Sequence, residues 1–309
     1  MRTSSSPITT GKSLSSPTPR AISDLGSSAR TYGIRALLYL ILPLVGAIFA
    51  VPLLWLVSSS LKAESQVAAF PPNFIPNPVR FDNYPTAMEL FPFWSSMANT
   101  LVIVAGVMVG HLLTASFTAY AFARIRFPLR DTLFALVLST MMIPYYAYLL
   151  PQYLLFRDLQ WLNSPLPLVV PSLFGQSPFY IFLFRQFFRT IPKEYDEAAR
   201  IDGCGWFDTY WRILLPLILP ALGATAIFTF MGTWNDFLAP LIYLNEPKKQ
   251  TLAIAIRTWE AFQAHGTVEH ALRVHILAVS VLITIPPILL FFFAQRYFIQ
   301  GVVVSGIKG

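Results

Sequence analysis

A chain of 309 residues that is 55% hydrophobic and only 12% charged carries too few polar side chains to cover a water-exposed globule of that length. A net charge of +7 needs an anionic counterpart, and in so apolar a chain the head groups of a lipid bilayer supply it; a basic soluble face of the kind nucleic acid requires does not fit this composition. A secreted disulfide scaffold is excluded as well, because Cys204 is the single cysteine.

Residues 1–33 are rich in Ser, Thr and Pro and nearly devoid of large apolar side chains, which predicts a disordered tail. Within it Gly11, Lys12 and Ser13 imitate the end of a phosphate-binding loop. Ser6 stands where the first glycine of that motif belongs and no strand precedes it, so ATP is not expected on this chain. Six runs free of Asp, Glu, Lys and Arg follow: 36–61, 90–123, 132–156, 159–184, 213–235 and 274–295, each of at least 22 residues. A helix needs about 20 residues to cross about 30 Å of hydrocarbon, so six transmembrane helices are predicted. The first run is too long for a signal-peptide core and is expected to stay as an anchor.

An even number of crossings puts both termini on one side. Fifteen of the 22 Lys and Arg fall in the N-terminal tail, 124–131, 185–212 and the C-terminal tail, so that side is predicted to be cytoplasmic. The loop 62–95, with Pro71, Pro72, Pro76, Pro78 and Pro85, suits an ordered external cap. Pro144, Pro151, Pro167, Pro171 and Pro178 interrupt the third and fourth spans, which lipid tolerates only where neighbouring helices or a wet cavity satisfy the freed carbonyls. Segment 185–212 holds ten charged side chains, at about 2.5 to 3.5 kcal/mol each in mid-bilayer, and must lie outside the membrane. It still reads as helical, with a start at Thr190 and Pro192, one face formed by Tyr195, Ala198, Ala199 and Asp202, and a stop at Gly203.

Glu197-Ala198-Ala199, Gly203, then Ile213, Leu215 and Pro216 resemble, with every spacing kept, the cytoplasmic signature of permeases in binding-protein-dependent ABC importers. Tyr120-Ala121-Phe122-Ala123-Arg124, Arg185-Gln186-Phe187-Phe188 before Ile191-Pro192, and Trp234-Asn235-Asp236-Phe237-Leu238 are similar to the carbohydrate branch, in particular to the second permease of maltose-type systems. The likeness runs from about residue 36 to Gly309. It implies an all-α integral membrane protein of the bacterial cytoplasmic membrane: a permease domain over 34–298 with a coupling loop at about 189–212, and a cytoplasmic tail over 299–309. The implied partners are a homologous permease in a heterodimer, two ATPase subunits that bind ATP and Mg, and an extracytoplasmic solute-binding protein. The chain itself would hold no cofactor and no catalytic residue. Glu197 would pair with a basic residue in a groove of the ATPase, Ala198 and Ala199 would permit close approach, Gly203 would make the turn, and Tyr195 and Ile201 would add buried contact. Deleting the residues after Phe298 is expected to weaken coupling. The implied cargo is a sugar or oligosaccharide, with glycerol phosphate or another polyol as the alternative.

Sugars are bound by aromatic faces and convergent hydrogen bonds, so Tyr145, Tyr146, Gln152, Gln176, Tyr180, Trp234 and Asn235 are the candidate substrate path. The Gln176-Ser177-Pro178 break is its sharpest pointer, since interrupted helices mark cavities in carriers. No Asp or Glu lies within the charge-free runs to make a proton or ion relay with His111 and His275, which argues against an ion-coupled carrier. His265, Glu269 and His270 lack a recognised metal-ligand spacing, and no metal is assigned.

Overall fold

The computed structural model describes residues 20–264 and 273–306, with side chains placed at 35, 37–261 and 273–295. Residues 11–13 of the mimic loop, His265, Glu269 and His270 lie outside the described residues. Among the described residues all regular structure is helical, as expected where hydrocarbon forces a backbone to satisfy its own hydrogen bonds.

Helix α1 spans Arg20–Ser60. Its backbone is helical from Arg20, inside the stretch expected to be a disordered tail. The chain divides after Trp55 into two units; the first includes most of α1, whose Leu40, Phe49 and Leu54 are exposed, as lipid-facing side chains must be. In the second unit, α2 (Asn83–Leu90) lies within the proline-rich stretch 62–95, and Asn83 donates from its amide to the carbonyls of Ser60, 2.8 Å, and Lys62, 2.9 Å. Helices α3 (Phe93–Gly110) and α4 (Ser116–Arg124) join through a π turn into one span. Then come α5 (Arg130–Ser139), α6 (Tyr145–Asp158), and α7 (Pro178–Thr190), which closes a span begun by shorter turns at Leu166. A short helix, α8 (Glu194–Ile201), precedes α9 (Leu219–Trp234), α10 (Leu238–Tyr243), α11 (Leu252–Ala264) and α12 (Arg273–Gly306). The helical backbone of α12 continues past residue 298, into the stretch 299–309 expected to form a tail. At both chain ends the extension has the same cause: adding a turn to an existing helix avoids the cost of nucleation.

Four stretches are long and apolar enough to cross a bilayer: Leu37–Ser60, Phe93–Arg124, Leu166–Thr190 and Arg273–Gln295. The other two expected crossings are bent pairs, Arg130–Met142 with Tyr145–Asp158 at 96° and Trp206–Leu217 with Leu219–Trp234 at 77°. Counting each pair once gives six. The first bend follows from Pro144, which drives Ile143 into extended backbone (φ −82°, ψ 117°) and stops the preceding helix. The second falls at Ile218, between Pro216 and Pro220.

The fourth crossing starts later and ends later than its charge-free run, because Gln160 and Asn163 take positive φ in a tight turn and Arg185 is drawn into the helix. The Arg185 guanidinium lies 3.9 Å over the Phe134 ring and reaches Asp131 at 3.4 Å, so its charge is met without leaving the span.

Two large apolar cores, with a small third of Ile103, Val107 and Leu244, hold the described part of the second unit. One, at the α8 end, gathers Tyr120, Phe134, Phe184, Phe188, Tyr210 and Leu214; the other, at the opposite end, gathers Phe91, Phe93, Phe230, Trp234, Leu252 and Trp259. Between them α3 seats closely on the turn Val170–Phe174. A Cβ on Gly110 would stand 2.9 Å from the backbone carbon of Ser172 and nearer still to its hydroxyl. Gly110→Val is therefore expected to cost about 1–3 kcal/mol through overpacking, seen as a lower Tm of the detergent-solubilised protein; an unchanged Tm would mean the two backbones do not meet there.

Candidate functional site

Helix α8 sits between the fourth and fifth crossings and is held from behind. Its first turn carries Glu194, Asp196 and Glu197 and its last turn Arg200, charges that complement the helix dipole. The stop is Gly203 at φ +78°, with the N–H of Cys204 donating to the Ala199 carbonyl at 2.8 Å. Asp196 and Ala199 face inward. Asp196 Oδ2 meets Arg124 Nε at 3.4 Å, and the two side chains are 10% and 6% exposed. Arg124 also donates from Nη2 to the Ile191 carbonyl at 2.7 Å, just before α8. Beyond the stop, Tyr120 donates from its hydroxyl to the Trp206 carbonyl at 3.0 Å, and the Arg200 guanidinium lies 4.6 Å over the Trp206 ring. The end of α4 thus grips both flanks of α8.

The outward side is different in kind. Tyr195 is 47% exposed and Ile201 86% exposed, with Glu197 and Ala198 beside them. Among the described residues, a Cβ on Gly203 would meet nothing within 4 Å. The signature residues therefore separate into two groups. Tyr195, Glu197, Ala198, Ile201 and Gly203 are exposed, whereas Ala199 is buried at 2%, and Ile213 and Leu215 pack on the apolar core at this end. Ala199 therefore permits close packing within the chain, not approach by a partner. Pro216 is exposed at the bend of the fifth crossing. Sequence reasoning missed Asp196 as a site residue and saw Arg124 only as the end of a motif; no spacing rule links two charges so far apart along the chain.

At the other end of the second unit lies a cavity of about 360 Å³, a size usual for small-molecule sites. Tyr145, Gln152 and Gln176 line it, as do Thr233, Asp236 and Tyr243, which sequence reasoning left out of the substrate path. The Tyr243 hydroxyl donates to Gln152 Oε1 at 3.3 Å. Gln176 stands at the interruption of the fourth crossing, after Gly175 at φ +72°. The walls are pinned by backbone contacts. Asn163 Oδ1 accepts from the N–H groups of Asn245, 2.7 Å, and Glu246, 3.1 Å; Thr100 Oγ1 accepts from the N–H of Leu252 at 2.9 Å. Burial pushes the Asp236 carboxyl up from its ordinary value, and the N–H groups of Ala239 and Leu238, which favour the carboxylate, oppose that rise. Asp236 follows the fifth crossing directly, a position that a charge-free-run reading treats as a loop edge.

The remaining path candidates lie elsewhere. Trp234 and Asn235 line a separate groove with Arg257 and Ile283; Tyr146 is 74% exposed; Tyr180 packs against His111, ring centroids 5.1 Å apart. His111 in turn is within 3.3 Å of the Thr229 hydroxyl.

Residues 111–304 match the family described as binding-protein-dependent transport system inner membrane component. The arabinooligosaccharides transport system permease protein AraQ of Halalkalibacterium halodurans is 35% identical over 261 residues, 84% of this chain and 91% of that protein. The diacetylchitobiose uptake system permease protein DasC of Streptomyces coelicolor is 29% identical over 86% of this chain and 93% of its own. The sn-glycerol-3-phosphate transport system permease protein UgpE of Yersinia pestis is 32% identical over 81% and 88%. Among solved structures, a bacterial ABC transporter involved in the import of the acidic polysaccharide alginate superposes with a TM-score of 0.73 at 25% identity, over 88% of this chain and 98% of the matched one.

Proposed function

The chain belongs to the family of binding-protein-dependent transport system inner membrane components, and from that premise we propose that it is the permease half of an ATP-driven importer for a carbohydrate-class solute. In this reading a related permease completes the channel, two ATPase subunits bind ATP and Mg on the cytoplasmic side, and an external binding protein delivers the solute. Both termini and α8 face the cytoplasm, in keeping with the excess of Lys and Arg on that side. The observation that carries the reading is the outward side of α8. An isoleucine 86% exposed and a half-exposed tyrosine, on a helix clamped from behind by a buried ion pair, make a rigid surface that no other described residue covers.

Docking there would let closure of the ATPase pair move α8, and through Arg124 the inner end of the second crossing. The cavity at the opposite end would then open and close to the solute. Sugars and glycerol phosphate are both carried by systems named among the relatives, and the aromatic and amide lining suits the former.

The test is reconstitution in proteoliposomes with the partner permease, ATPase pair and binding protein. Uptake should require ATP and all four components, and solute movement by the purified chain alone would overturn the reading. Glu197→Ala should weaken ATPase association by no more than about fivefold, because exposed ion pairs contribute little, whereas Tyr195→Ala should weaken it more; co-purification yields rank the two variants.

A further inference from the structure

The relatives leave open whether the solute carries charge, since neutral oligosaccharides, glycerol phosphate and an acidic polysaccharide all appear among them. The cavity speaks to it. Its polar lining consists of the phenols of Tyr145 and Tyr243, the amides of Gln152 and Gln176, threonine hydroxyls and one carboxylate, Asp236. Among the described residues no Lys, Arg or His lines it. Lys249, on an adjacent groove, is already paired with Glu246 at 2.8 Å, and Arg257, on the groove beside Trp234, with Glu260 at 3.0 Å.

A site for phosphate or a uronate would present guanidinium or ammonium donors, or free N–H groups at a helix N-terminus, to return the desolvation cost of an anion, and here the N–H of Ala239 at the start of α10 is already turned to Asp236 Oδ1 at 3.4 Å. This one presents a carboxylate, which repels an anion and accepts hydrogen bonds from sugar hydroxyls. We infer that the cavity selects neutral polyhydroxylated solutes, and that Asp236 is the residue that turns anionic ones away. The inference rests on the proposal that the cavity lies on the solute path. Its own content is the sign of the charge and the residue that sets it.

The experiment uses the assembled importer in lipid nanodiscs without the binding protein, so that only the permeases select. Saturation-transfer NMR reads binding of two neutral probes, arabinotriose and diacetylchitobiose, and two anionic probes, sn-glycerol 3-phosphate and an alginate trisaccharide. A neutral probe should bind and be weakened at least tenfold by Gln152→Ala, while the anionic probes should not bind. Asp236→Asn, isosteric and uncharged, should raise anionic-probe affinity at least tenfold, and Asp236→Glu should keep them out. If the wild-type importer binds an anionic probe as tightly as a neutral one, or if Asp236→Asn leaves anionic affinity unchanged, the charge assignment falls while the cavity remains a solute site. If no probe binds, or if binding is indifferent to Gln152→Ala, the solute path itself is misplaced and the inference falls with it.

Discussion

Gly203→Val should leave the protein in the membrane at its normal level and reduce ATP-driven uptake at least a hundredfold, with loss of ATPase co-purification. Two observations set this expectation. Gly203 holds φ at +78°, where a residue with a Cβ is strained by about 1–2 kcal/mol, a cost that falls on one exposed turn and leaves the membrane core untouched. A Cβ there meets no described atom of this chain within 4 Å, so the added bulk points at the space a neighbouring molecule would take. Gly203→Asn separates the two effects, because asparagine tolerates the left-handed conformation. If a partner occupies the open space, the asparagine variant keeps the turn and still loses ATPase association. Association restored by asparagine but not by valine would assign Gly203 to the turn alone. Full uptake by the valine variant would remove α8 from the coupling path.

The crossings were legible in the sequence because ionisable side chains are costly in hydrocarbon, so charge-free runs mark spans directly. The bends at Pro144 and near Pro216 were legible in kind, since proline must break a ladder, but their angles depend on what each half-helix packs against. Helix α8 was readable from its charges, its alanines and Gly203. Which of its faces looks outward was not, because Ala198 and Ala199 are chemically alike and only the position of Arg124 decides that Ala199 turns inward. The cavity was half legible. Tyr145, Gln152 and Gln176 are conspicuous as polar groups inside spans, whereas Thr233, Asp236 and Tyr243 join them only through the fold of the segment after the fifth crossing. Trp234 and Asn235, equally conspicuous, lie on a neighbouring groove because Thr233 and Asp236 close one turn and share a side, while the two residues between them are rotated away.

The Arg124–Asp196 pair carries the second large effect. Reversing one charge, Asp196→Arg or Arg124→Asp, would leave like charges together in surroundings where both side chains are at most 10% exposed. Breaking a buried pair costs about 3–5 kcal/mol, more than an eight-residue helix with no side-chain cap can recover from its own contacts. Helix α8 should then detach from the end of α4 while the crossings, which are held by apolar packing, persist. The expected result is uptake lowered at least a hundredfold in either single variant, with ATP hydrolysis no longer stimulated by loaded binding protein. The double exchange, Arg124→Asp with Asp196→Arg, restores opposite charges at the same contact and should regain at least a tenth of wild-type uptake. Arg124 also donates to the Ile191 carbonyl, a bond the exchanged aspartate cannot make, so recovery should stop short of complete. A general folding defect would lower membrane levels and solute binding at the far cavity, whereas loss of the clamp should spare both. Double and single variants equally inactive at normal membrane levels would show that the pair is not the link, and undiminished uptake in either single variant would show that α8 transmits force by another route.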